Sequence, residues 1–198
     1  MSIARLEVRS LAASRGPVTL FRDLSFALVP GEIAAVRGPN GSGKTTLLRC
    51  VAGLTQPEAG DVVREGGILF LGHLPGIKDD LTAEENLEFA LRMQGVDADA
   101  TKIRTALSVV GLEGKRRVPA RRLSAGQRRR IGLARLTLST TTGLWILDEP
   151  LASLDASGEE WLGGMLEAHA GRGGIALVAT HHPLPLAKIT PRDIAIGP

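Results

Sequence analysis

Short apolar runs alternate with stretches of helical periodicity along this chain. The clearest apolar runs cover residues 32–36, 68–71, 144–147 and 175–179, and we interpret them as strands. Strands that alternate with helical segments along a sequence are expected of α/β architecture. The pattern therefore predicts an α/β fold.

Helical periodicity dominates residues 82–110, with a break at 94–95 and an end near Gly111. At the start of this segment, Thr82 and Glu85 have the spacing of a capping box, in which a threonine hydroxyl and a glutamate carboxylate satisfy the first free N–H groups of a helix. The segment separates two strand-rich parts of the chain, so we expect it to form a helical subdomain.

Composition favours one domain with that helical part inserted. A chain of 198 residues, 43% of them hydrophobic, can bury a substantial core. We therefore predict a single domain, 1–198, with a helical insertion at approximately 76–134.

No apolar stretch approaches the roughly 20 residues that cross a bilayer, and the first ten residues lack the apolar core of a signal peptide. Basic residues (24) only slightly outnumber acidic ones (21), so charge does not demand a polyanionic partner.

Cys50 is the only cysteine. This excludes an intrachain disulfide framework, and we expect the reducing cytoplasm. Helical spacing of Cys50 with Leu47, Leu48 and Val51 favours a buried, inert thiol, with a reactive thiol as the alternative.

The strongest chemical signal is GPNGSGKT, which fits the P-loop pattern G-x-x-x-x-G-K-[ST] directly after a predicted strand. Its residues are Gly38, Pro39, Asn40, Gly41, Ser42, Gly43, Lys44 and Thr45, with Thr46 next. Glycines allow backbone N–H groups to surround phosphate oxygens, and the following helix directs its positive end toward them. Lys44 is expected to reach the β- and γ-phosphates, and the Thr45 hydroxyl to bind Mg²⁺. A glycine-rich turn without this role is the alternative.

A second signal is LWILDEP, an apolar strand that ends in two carboxylates. After a P-loop, Asp148 is expected to hold Mg²⁺ through water, and Glu149 to orient or deprotonate the water that attacks the γ-phosphate. The alternative is a strand that ends in a solvated acidic turn.

Between these motifs lies LSAGQ, followed by an arginine-rich helical run. With this segment the chain resembles the ATP-binding cassette ATPases, whose signature LSGGQ has glycine where this chain has Ala125. The resemblance extends over nearly the whole chain and includes Ser153-Leu154-Asp155 and Thr180-His181. It implies a P-loop NTPase fold, with a RecA-like core, an antiparallel β subdomain and an inserted helical signature subdomain.

The same resemblance implies how the motifs work. It implies an ATPase in which the signature residues Ser124, Gly126 and Gln127 of one subunit contact the γ-phosphate of ATP held by the P-loop of another. Two chains would then form an ATP-dependent head-to-tail dimer. The resemblance also identifies His181 as the switch histidine at the γ-phosphate.

The resemblance implies an aromatic residue that stacks on adenine near residues 13–16, but the chain contains no tyrosine. Arg15 is the nearest planar side chain, and a guanidinium can stack on a base. A solvated arginine in a loop is an equally good interpretation.

His73 occupies the place of a glutamine that, in the family, touches Mg²⁺ and the attacking water. It could offer a ring nitrogen to the water or to the metal's hydration shell. Alternatively, it only fixes a turn with Pro75 and Gly76. The next residue, Leu74, cannot coordinate anything.

The phrase GHLPGIK followed by LTAEENL is similar to a narrower family, the haem exporter ATP-binding subunit of bacterial cytochrome c maturation. This implies a peripheral subunit on the cytoplasmic face of the inner membrane, paired with an integral membrane partner that residues 72–78 contact. ATP hydrolysis is then associated with haem export or with release of the haem-loaded periplasmic chaperone.

A soluble cassette ATPase acting on nucleic acid is the alternative. Its support is the run 115–130, which contains eight basic residues that could bind phosphates. Aromatic residues for base stacking are few, so no nucleic-acid partner is expected. A catalytically dead binding module is disfavoured because Lys44, Asp148, Glu149 and His181 are all present.

Overall fold

The computed structural model describes residues 4–73, 76–97, 99–139 and 142–197 of the chain. These residues form two compact units. The first unit contains residues 4–73, 142–150 and 160–197, and the second contains residues 76–97, 99–139 and 151–159.

The four strands predicted from apolar runs are all present, with bounds within one residue of the prediction. The helices and strands follow in the order β1 (Arg5–Arg15), β2 (Val18–Leu28), β3 (Ile33–Arg37), α1 (Lys44–Ala52), β4 (Ala59–Glu65), β5 (Ile68–Leu71), α2 (Ala83–Met93), α3 (Ala100–Val109), α4 (Ala125–Leu138), β6 (Leu144–Asp148), α5 (Ala156–Gly171), β7 (Ile175–Ala179) and β8 (Arg192–Ala195).

The first unit contains a five-stranded sheet with the order β5-β6-β7-β3-β8, in which every neighbouring pair is parallel. All residues of β6 and β7 are buried. A parallel sheet is covered on both faces, so its central strands have continuous apolar sequences instead of alternating ones. This is why these strands were recognisable from the sequence.

A second sheet in this unit is antiparallel, with the order β2-β1-β4. Pattern analysis did not predict these strands individually. The pairing of β1 with β2 has register shifts between Val8 and Leu11 and again near Ala13. Such bulges break the period-two alternation that identifies a half-buried strand.

Helix α1 contributes its apolar side to the core of the first unit, through Leu47, Leu48 and Val51. Cys50 belongs to the same buried cluster and forms no disulfide. Burial raises the pKa of its thiol, so the unreactive protonated form is favoured. The predicted burial of Cys50 is confirmed, and its inertness stays a prediction.

The second unit contains α2, α3 and α4. Thr82 caps α2 through its hydroxyl, which accepts from Glu85 N at 3.2 Å, while the Glu85 carboxylate accepts from Thr82 N at 2.8 Å. The predicted capping box is therefore confirmed. The breaks after α2 and α3 contain Gly95 and Gly111 with φ of 69° and 72°, in the left-handed region that suits glycine. The extent of the helical subdomain, 76–134, stays a prediction.

A stacked ring pair joins α5 to the parallel sheet within the first unit. The rings of His169 and Trp145 are 3.9 Å apart between centroids and within 5° of parallel. The ring nitrogen Nε2 of His169 lies 3.1 Å from Ile175 O, which accepts a hydrogen bond from the tautomer that is protonated at Nε2. A Cβ added to Gly174 would lie 2.2 Å from the His169 ring, so residue 174 has to be glycine to admit the ring.

His169 should make stability fall in mild acid. Burial lowers its pKa from 6.5 to about 4, so folding favours the neutral ring. This stabilisation is complete above the unfolded pKa and is lost as pH falls toward 4. We expect wild-type protein to lose about 2 kcal/mol of unfolding free energy between pH 7 and pH 5 from this group. In His169→Phe, that contribution to the pH dependence should disappear.

Urea unfolding at the two pH values measures both quantities. His182→Gln is the control for loss of a histidine, since the His182 side chain is exposed. If His169→Phe and wild type lose the same free energy between pH 7 and pH 5, His169 does not titrate in this way.

Candidate functional site

Three motifs meet at one edge of the parallel sheet in the first unit. Strands β6, β7 and β3 are consecutive neighbours and run in the same direction. Gly38 follows β3, Asp148 ends β6, and Thr180 and His181 follow β7. The carboxyl ends of parallel strands are where α/β proteins place their ligand sites.

The P-loop connects β3 to α1 with a backbone that requires glycine. Gly41 and Gly43 have φ of 83° and 101°, and a Cβ added to Gly38 would lie 2.3 Å from Ile196 O. Gly43 is the N-cap of α1 and forms no side-chain cap. The first N–H groups of α1 are therefore not satisfied by a capping side chain, as an anion site at a helix N-terminus requires.

Two polar side chains of the P-loop are buried. Lys44 is 8% exposed, and its ammonium group donates to Gly38 O at 2.7 Å and to Pro39 O at 3.0 Å. Ser42 is 7% exposed, and among the described residues its Oγ has no hydrogen-bond partner. A buried cation and a buried hydroxyl inside a glycine-rich loop are suited to phosphate oxygens.

Thr45 and Asp148 form a direct contact across the site. Thr45 Oγ1 donates to Asp148 Oδ2 at 2.9 Å, and Asp148 is only 2% exposed. Within the described residues, no group of three or more His, Cys, Asp and Glu side chains is arranged to hold a metal ion. Mg²⁺ at a nucleotide needs only one or two protein oxygens, because phosphates and water supply the others. This pair fits that requirement.

Glu149 and His181 are brought together next to this pair. His181 Nε2 lies 3.5 Å from Glu149 Oε1. Glu149 has a φ of 48°, unusual for a residue other than glycine, and its N–H donates to Ala179 O at 2.8 Å. The strained backbone is thus held by the neighbouring strand, a combination that is common at functional sites.

His73 lies near the same sheet edge, whereas Arg15 belongs to the other sheet. Leu71 of β5 pairs with Leu147 of β6. His73 comes two residues after Leu71, just as Glu149 comes two residues after Leu147. The His73 side chain is exposed. Arg15 is an exposed residue at the end of β1, so it lies in a strand and not in the expected loop. Its adenine contact and the role of His73 stay predictions.

Leu74 and Pro75, which the sequence places in the loop after His73, lie outside the described residues. Gly76 has a φ of 67°, as a turn at this point would require. A role of His73 in a turn and its contact with the attacking water both stay predictions.

The signature segment lies in the second unit. Ser124 caps α4, with its Oγ accepting from Gln127 N at 3.2 Å and Gln127 Oε1 accepting from Ser124 N at 3.0 Å. The hydroxyl hydrogen of Ser124 is still available to a further acceptor. A Cβ added to Gly126 would lie 2.6 Å from Ser153 O, so this glycine permits close packing against the segment 153–155.

Sequence reasoning missed Arg37, the last residue of β3. Its guanidinium donates to two backbone carbonyls, Thr180 O and His182 O, on either side of His181. The available signal was a charged residue at the end of an otherwise apolar strand, directly before Gly38. That signal did not indicate the partner, which is 143 residues later in the chain.

Comparison with known proteins gives consistent results. A family model described as ABC transporter matches residues 21–152. The cytochrome c biogenesis ATP-binding export protein of Nitrosomonas europaea is 44% identical over 98% of this chain and 97% of its own length. A second protein of that name, from Cupriavidus metallidurans, is 47% identical over 93% of each chain.

Among solved structures, an ATP-binding cassette in a dimeric, post-hydrolysis state with ADP and phosphate superposes with a TM-score of 0.78. It is 23% identical and covers 89% of this chain and 88% of its own. This similarity confirms the predicted P-loop NTPase fold. The family match and the curated relatives show that the chain belongs to the ABC transporter ATPases and, within them, to the cytochrome c biogenesis ATP-binding export proteins.

Proposed function

We propose that this ATPase couples ATP hydrolysis to haem export, or to release of a haem-loaded periplasmic chaperone, in cytochrome c maturation. It acts as a peripheral subunit on the cytoplasmic face of the bacterial inner membrane, bound to an integral membrane partner. The observation that carries the proposal is one sheet edge with a P-loop, Asp148, Glu149 and His181, in a chain whose relatives are export proteins of that pathway. Across the described ranges, no helix is long and apolar enough to span a membrane.

ATP is bound through its phosphates. Lys44 exchanges its contacts with the loop carbonyls for the β- and γ-phosphates, and Ser42 gains a partner for its buried hydroxyl. Thr45 and Asp148 would hold Mg²⁺, which when bound offsets the negative charge of the phosphates. The Arg15 guanidinium is the proposed stacking partner of the adenine base.

Hydrolysis depends on Glu149 and His181. Glu149 orients the attacking water and accepts its proton, and His181 lies close enough to share that water or the γ-phosphate. His73 is proposed to offer a ring nitrogen to the water from the end of β5. These groups act at one phosphate, which is why their convergence at a single sheet edge matters.

The site is completed by a second copy of the chain. Ser124, Gly126 and Gln127 belong to the second unit, where the capping box presents the N-terminus of α4. A helix N-terminus and a serine hydroxyl are suitable donors to a γ-phosphate. We propose that they reach the nucleotide of the partner copy in a head-to-tail dimer that forms with ATP.

An exposed apolar surface in the second unit suits the membrane partner. Phe89 and Met93 are one turn apart on α2, with exposures of 42% and 73%. Lys78 Nζ lies 4.8 Å from the Phe89 ring centroid, and half-buried Ile77 precedes it in the chain. The Lys78 backbone is fixed by Asn86, whose side chain bonds both its N–H and its carbonyl. A rigid apolar surface with one cation is suited to a protein interface.

The nucleic-acid alternative is not supported. Several arginines of the run 115–130 are paired with acidic residues inside the second unit. These pairs are Arg116 with Glu84 at 3.8 Å, Arg121 with Asp80 at 2.6 Å, Arg128 with Asp79 at 2.8 Å and Arg130 with Asp155 at 2.6 Å. Internal pairing reduces the positive charge available to a phosphate backbone.

Glu149→Gln should trap ATP. The amide cannot accept a proton, while Lys44 and Thr45 remain to hold the nucleotide. We expect ATP affinity within about threefold of wild type and turnover at least about 100-fold slower. Calorimetry measures binding, phosphate release measures turnover, and light scattering should detect an ATP-dependent dimer.

Glu160→Gln is the matched control, because Glu160 is exposed on α5 and its loss should change neither quantity. Wild-type turnover in Glu149→Gln would remove Glu149 from the role of base.

Replacement of Ile77 by Asp should separate partner binding from ATP hydrolysis. A charge on the apolar surface should weaken association with membranes that contain the partner by about tenfold or more, with basal ATPase unchanged. His73→Ala should do the opposite, lowering basal ATPase modestly without affecting association. Co-fractionation with membranes and phosphate release measure the two effects.

Val29→Asp serves as the control, since Val29 is 57% exposed and belongs to the first unit. Protein-free vesicles of the same lipids distinguish a protein partner from the lipid surface. Loss of both basal ATPase and thermal stability in Ile77→Asp would show that Ile77 is a core residue.

A further inference from the structure

We propose that Arg37 is a positioning residue for His181, and this inference rests on the proposed role of that histidine. Arg37 Nη1 donates to Thr180 O at 3.0 Å and to His182 O at 2.6 Å. The two carbonyls belong to the residues that directly flank His181. A single guanidinium therefore holds the backbone on both sides of the switch histidine.

The strand register explains why Arg37 is in reach. Val36 and Ala179 form the last pair between β3 and β7, so Arg37 and Thr180 are the residues that directly follow that pairing. Beyond Ala179 the strand has ended. The Thr180 and His182 carbonyls thus lie past the β7 ladder, where Arg37 supplies their donors. Charge-assisted hydrogen bonds of this kind are stronger than those between neutral groups.

Arg37 is itself well fixed. Its backbone pairs with Ala195 of β8, and its carbonyl accepts from Ile196 N at 2.8 Å. Its Nε donates to Asp193 Oδ1 at 3.3 Å. The side chain is 28% exposed. The planar guanidinium can therefore bond Asp193 on one edge and residues 180–182, the histidine loop, on another. A lysine cannot do this with the same geometry.

The turn around His181 has one further internal support. Thr180 is buried, and its Oγ1 accepts from His182 N at 3.1 Å. With the two carbonyls held by Arg37, the backbone at His181 is restrained from both sides, while the imidazole is 41% exposed and 3.5 Å from Glu149. An exposed ring keeps its place only if its backbone is fixed. Arg37 restrains this backbone and is not placed at the reacting atoms. It therefore acts through the peptide groups on either side of His181.

Arg37 also directly precedes Gly38, the first residue of the P-loop. The residue that holds the histidine loop is thus joined by one peptide bond to the loop that holds phosphate. Loss of the Arg37 side chain should leave the P-loop backbone and its lysine in place. The defect should therefore appear in turnover and not in nucleotide affinity.

The test is steady-state ATPase of the chain in four variants: Arg37→Met, Arg37→Lys, His181→Ala and the double variant Arg37→Met/His181→Ala. We expect Arg37→Met to lower kcat about tenfold with the KM for ATP within twofold of wild type. Arg37→Lys keeps the charge and should give an intermediate kcat. In the His181→Ala background, Arg37→Met should have no additional effect, because the residue it positions is absent.

Arg192→Met is the matched control. Arg192, on the neighbouring strand β8, also donates to a backbone carbonyl, Ala27 O at 2.9 Å, but away from the histidine loop. It should retain wild-type kcat. If Arg37→Met does not fold, Arg37→Lys replaces it in the comparison. Arg37→Lys should then lower kcat when His181 is present and have no effect on kcat in the His181→Ala background.

Three results would overturn the inference: wild-type kcat in Arg37→Met, a further slowing by Arg37→Met in the absence of His181, or an equal loss in Arg192→Met. Wild-type kcat in His181→Ala would instead contradict the proposed role of the histidine. Slow turnover in His181→Ala together with normal turnover in Arg37→Met would leave that role intact and reject only the positioning by Arg37.

Discussion

The proposed nucleotide site is possible only because β3, β6 and β7 are parallel neighbours in one sheet. Because the three strands are neighbours with one direction, the chain segments that leave them meet at one edge of the sheet. The 2.9 Å hydrogen bond from Thr45 to Asp148 joins residues 103 positions apart, and only the sheet brings them within reach. Continuous burial of β6 and β7 makes this edge rigid, as a preorganised site requires.

In the second unit, the contacts fix the signature segment at the start of α4. Capping by Ser124 and Gln127 fixes the start of α4, and Gly126 allows it to pack against Ser153. Arg130 bonds Asp155 at 2.6 Å, so the signature helix and the segment 153–155 are linked within one chain. Partial exposure limits the stability gained from this pair. The Arg130–Asp155 pair matters because it fixes the position of α4 relative to the segment 153–155. Both segments belong to the part of the chain that is proposed to approach a partner's nucleotide.

The sequence was sufficient where local patterns decide the structure. The continuous apolar runs of β6 and β7 predicted those strands, and the Thr82–Glu85 spacing predicted the start of α2. By contrast, bulges hid the alternation of β1 and β2, so those strands were not individually predicted. Motif spacing proposed Lys44 and Asp148 as site residues, and the family resemblance proposed His181; the three residues lie at or directly after the ends of neighbouring parallel strands or of the loop that follows them. The strained backbone of Glu149 and the contact of Arg37 with residues 180 and 182 depend on strand register, which no local pattern encodes.

We propose that this sheet edge binds the phosphates of ATP through the P-loop lysine. Calorimetric titration of Mg²⁺-ATP into wild type, Lys44→Ala and Lys188→Ala measures whether it does. Lys44→Ala should lose at least about tenfold in affinity, because its buried ammonium is the charge placed among the loop carbonyls. Lys188→Ala removes an exposed lysine of the same unit and should bind as wild type does. Equal affinities in all three proteins would contradict the assignment of the site.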